Sequence, residues 1–309
     1  MISCPLCNSS KYFHIKDYKI LELSYLWKFH YKFNPFENEK ETQIISKFIC
    51  HNCELLFYYP KIKWGGNFYK NLSKNNWYYE DNKWEFEIAR NIIKKNQRNS
   101  LLEIGCGNGN FLKQIKDLVN IIQGTEINED AIASCKKIGL DVTKCDLEKI
   151  NNKFGFIVMF EVLEHLENLD NLFSNIYRIL DDDGILIIAV PNPDSYLKYI
   201  DPDLLDIPPH HFTGWNYKTF EYLSKEFNFE ILTYEKEPLR FVHYKYYLNS
   251  IINHQNIKLK KNIFKSMFIR LSEFFLLPMT NKMDYLLYLK ERKDLIGQTH
   301  IIAFNKKIM

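Results

Sequence analysis

The chain has 309 residues, 46% of them hydrophobic, enough for a true core in one large or two modest domains. Its net charge of +3 is spread along the chain and argues neither for nor against a nucleic-acid partner. No basic start leads into an apolar stretch and no long apolar run exists, so a cytoplasmic protein without signal peptide or spanning helix is expected.

The first feature along the chain is a pair of CxxC motifs. Cys4-Pro-Leu-Cys7 and Cys50-His-Asn-Cys53 have 42 residues between them. Each can turn as a knuckle that offers two thiolates to one metal, and four thiolates make a closed, structural Zn²⁺ site. The gap exceeds the roughly 15 to 20 residues of short ribbons, so a sizeable loop must hang from the site. Its closure entropy grows only slowly with length. The alternatives are a redox pair or four buried thiols. Redox work is disfavoured, because neither pair opens a helix of a βαβ unit. Cys106, Cys135 and Cys145 are scattered and read as inert core thiols.

From residue 100 the pattern changes to strands alternating with helices. Leu101, Leu102 and Ile104 suit a buried strand, Gly105, Gly107 and Gly109 follow at every second position, and Phe111, Leu112, Ile115 and Leu118 recur at helical spacing. A helix is therefore expected from near Asn108. Strand, glycine turn and helix N-terminus form a ligand cradle: glycine admits positive φ and close approach, and the helix start offers free N–H groups. No Lys-Ser or Lys-Thr follows, so a nucleotide triphosphate is unfavoured. The third glycine also comes one residue too early for a dinucleotide fingerprint.

A second strand is predicted over 121–127, carrying Glu126, where an acid is placed to accept both ribose hydroxyls of a nucleoside. A third, 141–146, ends in Asp146, which could take the exocyclic amine of adenine. A fourth, 155–160, runs straight into EVLEHL, and a fifth spans 184–190. Helical patterns fill 129–138, 166–180 and 217–226. The alternation predicts an α/β fold with a parallel sheet covered on both faces.

LEIGCGNG, TEIN, KCDLE, FGFIVMFEVLEHL and LDDDGILIIAVPN, in this order, resemble the class I S-adenosylmethionine-dependent methyltransferases over roughly residues 85 to 236. The resemblance implies a Rossmann-like sheet of seven strands with the last, 298–305, inserted antiparallel. It implies that Gly105, Gly107 and Gly109 line the methionine part of S-adenosylmethionine, with Glu103 beneath them. By the same resemblance Glu126 holds the ribose, Asp146 and the backbone of Leu147 meet the adenine, and Phe160 and Glu161 lie beside the methyl group. Aromatic residues of the approach segment NNWYYEDNKWEF cover the cofactor in that family, which points to Tyr79. Trp84 reads better as core. Glu103 and Glu126 stand where Asp is frequent, and both keep the charge.

Two CxxC pairs ahead of such a domain are similar in layout to bacterial sugar methyltransferases, including deoxysugar C-methyltransferases and relatives from polysaccharide gene clusters. The likeness implies that the cysteine module helps form the substrate side of the cleft. A base should sit near the cofactor sulfur. The segment Pro208-Pro209-His210-His211-Phe212-Thr213-Gly214-Trp215 follows the fifth strand, at the sheet edge where open α/β folds put ligands, and its histidines suit a base near neutral pH. In the C-methyltransferases a Glu-His pair sits in this loop. The match places His211 on the base and His210 on the Glu, which leaves His211 without that acidic neighbour. Glu164-His165 of VLEHL is the second candidate. The alternative for all three is packing or helix capping. Nothing in the sequence groups carboxylates with histidines as a catalytic Mg²⁺ site would.

The organisation read from the chain is a zinc-binding, substrate-side module over 1–60, an aromatic approach segment over 61–97, a methyltransferase core over 98–236 plus 298–309, and a helical insertion over 237–297. Within the insertion, residues 258–277 form a basic amphipathic pattern that suits either a membrane surface or, as the plainer reading, its own domain or a second subunit in a homodimer. The expected function is methyl transfer to a sugar nucleotide or glycan, with another small-molecule O-methylation as the competitor. A zinc-ribbon RNA methyltransferase is a further alternative. Phe160-Glu161-Val162-Leu163 stands where nucleic-acid methyltransferases carry an Asn/Asp-Pro-Pro-Tyr motif, so no nucleic-acid partner is expected.

Overall fold

The computed structural model describes residues 2–40, 42–62, 67–72, 74–75, 81–241, 243–244, 247–248, 250 and 295–307. Tyr79 and the amphipathic stretch 258–277 lie outside the described residues.

The N-terminal part contributes β1 (Tyr12–Lys19), α1 (Ile20–Tyr31), β2 (Ile44–Cys50), β3 (Leu56–Tyr59) and α2 (Asn67–Leu72). The core follows with α3 (Trp84–Asn96), β4 (Ser100–Ile104), α4 (Asn110–Gln114), β5 (Ile121–Thr125), α5 (Glu129–Lys137), β6 (Asp141–Thr143), β7 (Phe154–Phe160), α6 (Leu169–Ile179) and β8 (Leu180–Pro191). It closes with β9 (Thr213–Gly214), α7 (Tyr217–Glu226), β10 (Phe229–Pro238) and β11 (Ile296–Lys306).

Seven strands form one sheet in the order β10-β11-β8-β7-β4-β5-β6. The five from β8 to β6 are parallel, and β11 runs antiparallel to both β8 and β10. This is the Rossmann-like methyltransferase topology that the resemblance implied. The strands separate two cores by their period of two. Leu102, Ile104, Ile157 and Met159 point into one core, with Phe173, Ile176, Trp215 and Phe220. Leu101, Phe156, Val158 and Phe160 point into the other, with Phe86, Ile93, Phe111 and Ile132.

Local chemistry sets the helix bounds. The Asn128 side chain accepts a bond from Asp130 N–H at the start of α5, with Glu129 and Asp130 in its first turn and Lys136 and Lys137 in its last. The Asn216 side chain caps α7 through Thr219 N–H at 2.9 Å. Helix α6 begins at Leu169, later than the expected 166, because Leu163–His165 form a tight 3₁₀ turn and Asn168 takes a left-handed φ of 55°. Helix α4 starts after Gly109 and ends at Gln114, shorter than the apolar spacing to Leu118 suggested.

A second sheet has the order β1-β2-β3-β9. Its fourth strand comes from the far side of the chain: Thr213 and Gly214 pair with Phe57 and Leu56. The module also shares its core with the large sheet, since Cys4, Leu6, Phe48, Cys53 and Phe57 pack in one cluster with Leu163, Trp215 and Phe220. The histidine loop is thereby tied to the cysteine module by both hydrogen bonds and packing.

Candidate active site

Strand β4 delivers the chain to the glycine turn at the carboxyl edge of the sheet. Gly105, Gly107 and Gly109 all adopt left-handed φ, at 71°, 50° and 69°. A Cβ on Gly105 would lie 2.5 Å from Val162 Cγ2, and one on Gly109 would lie 2.4 Å from Leu140 Cδ1. Both conformation and space therefore require glycine at these two positions. The Gly105 and Cys106 amides donate to Thr125 O at 2.8 and 3.0 Å, which ties the turn to β5.

Glu126 follows β5 immediately. Its carboxylate accepts from Gly107 N–H at 2.8 Å, Ile127 N–H at 2.7 Å and Asn128 N–H at 2.9 Å. Two carboxylate oxygens offer about four acceptor positions, so capacity for a hydroxyl remains on Oε2. Glu103 is buried beneath the turn, and desolvation lifts its carboxyl well above the usual range, opposed by the charge of Lys83.

The adenine-side residues sit differently from the expectation. Strand β6 ends at Thr143 rather than 146, so Asp146 lies on the loop beyond it and leads into a 3₁₀ turn, Leu147–Lys149. Its carboxylate is exposed and pairs with Lys149 at 2.8 Å. Phe160 is a core residue, packed edge-on against Phe86 and Phe111 at 5.0 and 4.7 Å. Glu161, the next residue, has a left-handed φ of 55°, a strained conformation at the end of a central strand. Burial, with the charge of Glu85 behind it, pushes its carboxyl up to about 8. Trp84 packs against the Phe86–Phe111 core, as its sequence position suggested.

The three candidate histidines, apart by 45 residues in sequence, meet in one cluster. His210 and His211 stack at 4.3 Å, and His165 lies edge-on to each at 4.7 Å. Each Nδ1 is anchored: His165 on His210 O at 2.6 Å, His210 on Leu205 O at 2.7 Å, His211 on Asp206 Oδ1 at 3.0 Å. Glu164 Oε1 stands 3.7 Å from His211 Nε2 and 3.9 Å from His165 Nε2. Burial holds His165 down at about 4 and the other two well below the usual imidazole range.

Sequence reasoning left His211 without an acidic neighbour. The structure supplies two, Asp206 and Glu164, and groups carboxylates with histidines where no such group was read. Asp206 carried no signal beyond lying five residues before His211. Glu164 was singled out beside His165, but not as a partner of His211.

Glu164 and Asp206 also line a cavity of about 250 Å³ between the cysteine module and the core. Ile15, Lys16, Tyr18 and Lys47 form its module wall; Val190, Pro191, Lys198 and Trp215 form the other. The Tyr18 hydroxyl donates to Asp201 at 2.8 Å.

The four N-terminal cysteines converge. Cys4 Sγ lies 3.4 Å from Cys53 Sγ, Cys7 Sγ lies 3.4 Å from Cys50 Sγ, and all four sulfurs fall within 4.8 Å of one another. The knuckles match: Asn8 N–H donates to Cys4 O and Glu54 N–H to Cys50 O, with φ of 55° and 57°. The neighbouring Cys53 thiol draws Cys4 down to about 6. Cys106 and Cys135 are buried in the core. Among the described residues no helix is long and apolar enough to cross a membrane.

The family model for a methyltransferase domain matches residues 77–234. An uncharacterized protein of Methanocaldococcus jannaschii is 33% identical over 116 residues, covering 37% of this chain and 51% of that one. A malonyl-[acyl-carrier protein] O-methyltransferase of Calditerrivibrio nitroreducens is 26% identical over 187 residues, covering 55% of this chain and 73% of that one. The chain spans about half the length of the first curated relatives it matches. A crystal structure of a SAM-dependent methyltransferase from Archaeoglobus fulgidus superposes with a TM-score of 0.51 at 20% identity, over 77% of this chain and all of that one. With the glycine turn, the acid-capped second strand and the inserted antiparallel strand already in place, the match over half of the sequence assigns the chain to the class I S-adenosylmethionine-dependent methyltransferases.

Proposed function

We propose that the chain transfers the methyl group of S-adenosylmethionine to a hydroxyl of a sugar nucleotide or glycan, in the cytoplasm. The observation that carries this reading is the cavity between module and core, with Glu164 and Asp206 among its lining and lysines 16, 47 and 198 around it. Carboxylates suit the hydroxyls of a sugar, and lysines suit the phosphates of a nucleotide or lipid-linked carrier. In this reading Gly105, Gly107, Gly109, Glu103 and Glu126 hold the methionine and ribose parts of the cofactor. Asp146 and Leu147 take the adenine edge, and Phe160 and Glu161 stand by the methyl group.

The chemistry is an in-line displacement. The oxygen–carbon bond forms as the sulfonium carbon–sulfur bond breaks, and the electron pair stays on sulfur. The acceptor's proton passes to the histidine–carboxylate cluster. His211 is the group best set to receive it, since Asp206 fixes its Nδ1–H and leaves the Nε2 lone pair available. His210 and His165 complete the cluster. The four cysteines hold a structural Zn²⁺: their sulfur separations suit a tetrahedral ion with bonds of about 2.3 Å, with no position open for water.

A second reading, O-methylation of another small molecule, is favoured by the name of the malonyl-[acyl-carrier protein] relative. Labelled cofactor with separate pools of sugar nucleotides, lipid-linked glycans, small carboxylic acids and RNA tests both. Label on a sugar pool that disappears in His211→Ala, with cofactor binding intact, supports the first. Label on the acid pool selects the second, and label on RNA alone overturns the acceptor class.

A further inference from the structure

We infer that the outer face of α1 seats the chain on an anionic lipid surface. The docking stands on its own observations. Its use, favouring a lipid-linked glycan over a free sugar nucleotide as acceptor, rests on the function proposed above.

Helix α1 is apolar on both sides. Ile20, Leu23 and Trp27 are buried in a cluster with Tyr18, Ile45, Tyr58 and Phe68. On the other side Leu21, Tyr25 and Phe29 recur at intervals of four, which aligns them along one face. They are 38%, 67% and 71% exposed. Ile44, also exposed, opens β2 beside the helix start, where it pairs with Lys19 and the Ile20 N–H donates to Gln43 O at 3.0 Å. A helix with apolar residues all round is ordinarily covered all round. Large apolar side chains gathered in water mark a surface with a partner.

Charge selects the occupant. Lys28 and Lys32 stand three residues after Tyr25 and Phe29 and share their face. Lys19 pairs with Glu22 at 3.3 Å, but among the described residues neither Lys28 nor Lys32 has a carboxylate partner. The Lys32 ammonium lies 5.6 Å from the centre of the Phe29 ring and donates to Phe29 O at 2.8 Å. Over residues 1–34 five lysines stand against two acids. Lysine is depleted from the cores of protein interfaces. Aromatic and leucine side chains flanked by lysines are instead the composition of helices that lie in the headgroup layer. There a tyrosine keeps its hydroxyl wet, and anionic headgroups attract the lysines.

The placement gives the docking its use. Strand β1 runs directly into α1. Tyr18 and Ile207 pack in the cluster under the helix and also line the cavity between module and core, which Ile15 of β1 lines as well. The lipid-facing helix and the module wall of that cavity are thus one packed unit. A glycan carried on a lipid phosphate would be presented beside it, with Lys16, Lys47 and Lys198 available to the phosphate.

Sedimentation of the full chain with phosphatidylcholine vesicles, with and without phosphatidylglycerol, tests the inference. The expected result is binding to the anionic vesicles, little to the neutral ones, and weakening by added salt. Lys28→Gln with Lys32→Gln should lower partitioning about 25-fold, at about fivefold for each lysine near the surface. Tyr25→Ser with Phe29→Ser should lower it about tenfold or more. All four side chains are exposed, so both variants should keep the parent Tm, which separates lost binding from lost fold. Absence of binding to anionic vesicles, or binding unchanged in both variants, overturns the inference; the latter would assign the contact to another segment, such as 258–277. A dimer in light scattering that Tyr25→Ser with Phe29→Ser dissolves overturns it in favour of a second copy of the chain. Vesicle binding without label on any sugar pool would keep the docking and remove the sugar reading. Label on a sugar pool by a chain that ignores vesicles would do the reverse.

Discussion

The two sides of the proposed cleft, the glycine turn assigned to the cofactor and the histidine cluster assigned to the acceptor, are built in opposite ways. The cofactor side is local: the glycine turn, Glu103 and Glu126 lie within 24 residues, and each is placed by the end of a parallel strand. The acceptor side is assembled from afar. His165 follows β7, His210 and His211 close a long loop after β8, and β9 hangs that loop on a module whose cysteines begin at residue 4. The difference teaches where each side is fragile. The cofactor side should fail by local strain, and the acceptor side by loss of a distant support.

The largest expected effect tests that support. Cys53→Ser removes one thiolate from the four and, in the zinc reading, opens the site that fastens β2 and β3. Loss of a structural zinc contributes several kcal/mol, which lowers Tm by roughly 10 °C or more in a chain of this size. Acceptor turnover should fall with it, because β9 pairs with β3 directly ahead of which the histidines lie. A variant with unchanged Tm that still methylates would break the comparison. Next is His211→Ala, expected to reduce kcat by about 10²- to 10⁴-fold, the range of a lost proton acceptor. Cofactor affinity by calorimetry should stay within a factor of two or so. A parallel loss of cofactor binding would mean that the two sides are not separable.

Gly105→Ala strains the other side. The residue has φ of 71°, and its new Cβ would meet Val162 Cγ2 at 2.5 Å. The backbone term alone is about 1 to 2 kcal/mol, and the turn must shift to relieve the clash. Cofactor affinity should drop about tenfold or more, while the fold of the cysteine module stays intact. Unaltered affinity would show that the turn does not contact the cofactor.

The same contrast explains what the sequence revealed. The parallel strands and the glycine turn were legible because period, glycine spacing and acid position are short-range signals, whereas the inserted last strand came only with the family resemblance those motifs carry. Helix α7 was placed at its observed bounds, 217–226, from its helical pattern alone. The acceptor side was legible only in pieces. His165, His210 and His211 could be singled out, but their meeting depends on β9 joining a sheet whose other strands lie more than 150 residues earlier. Asp206 had no pattern of its own, and the acidic partner sought next to His211 in the chain lay elsewhere in space. The end of β6 was misplaced because Lys144 and Cys145 extend the strand-like composition past the last ladder pair, Thr125 with Thr143.

The smallest effect sharpens the electrostatics of the acceptor side. Asp203 lines the cavity, and burial, followed by the charge of Asp206, raises its carboxyl to about 6. An acid raised in the folded state binds its proton more tightly there than in the unfolded chain. Its contribution is therefore most favourable below about pH 4, declines as pH rises through 6, and is a constant penalty above. Asp203→Asn removes the penalty and keeps an oxygen to accept the Leu205 N–H, now at 3.1 Å. After discounting for solvent at the cavity, the gain should be about 1 kcal/mol at pH 8 and near zero at pH 4. Urea unfolding at the two pH values measures it. An equal gain at both would show that Asp203 is not carried as a buried charge, and that the cavity is wetter than its lining suggests.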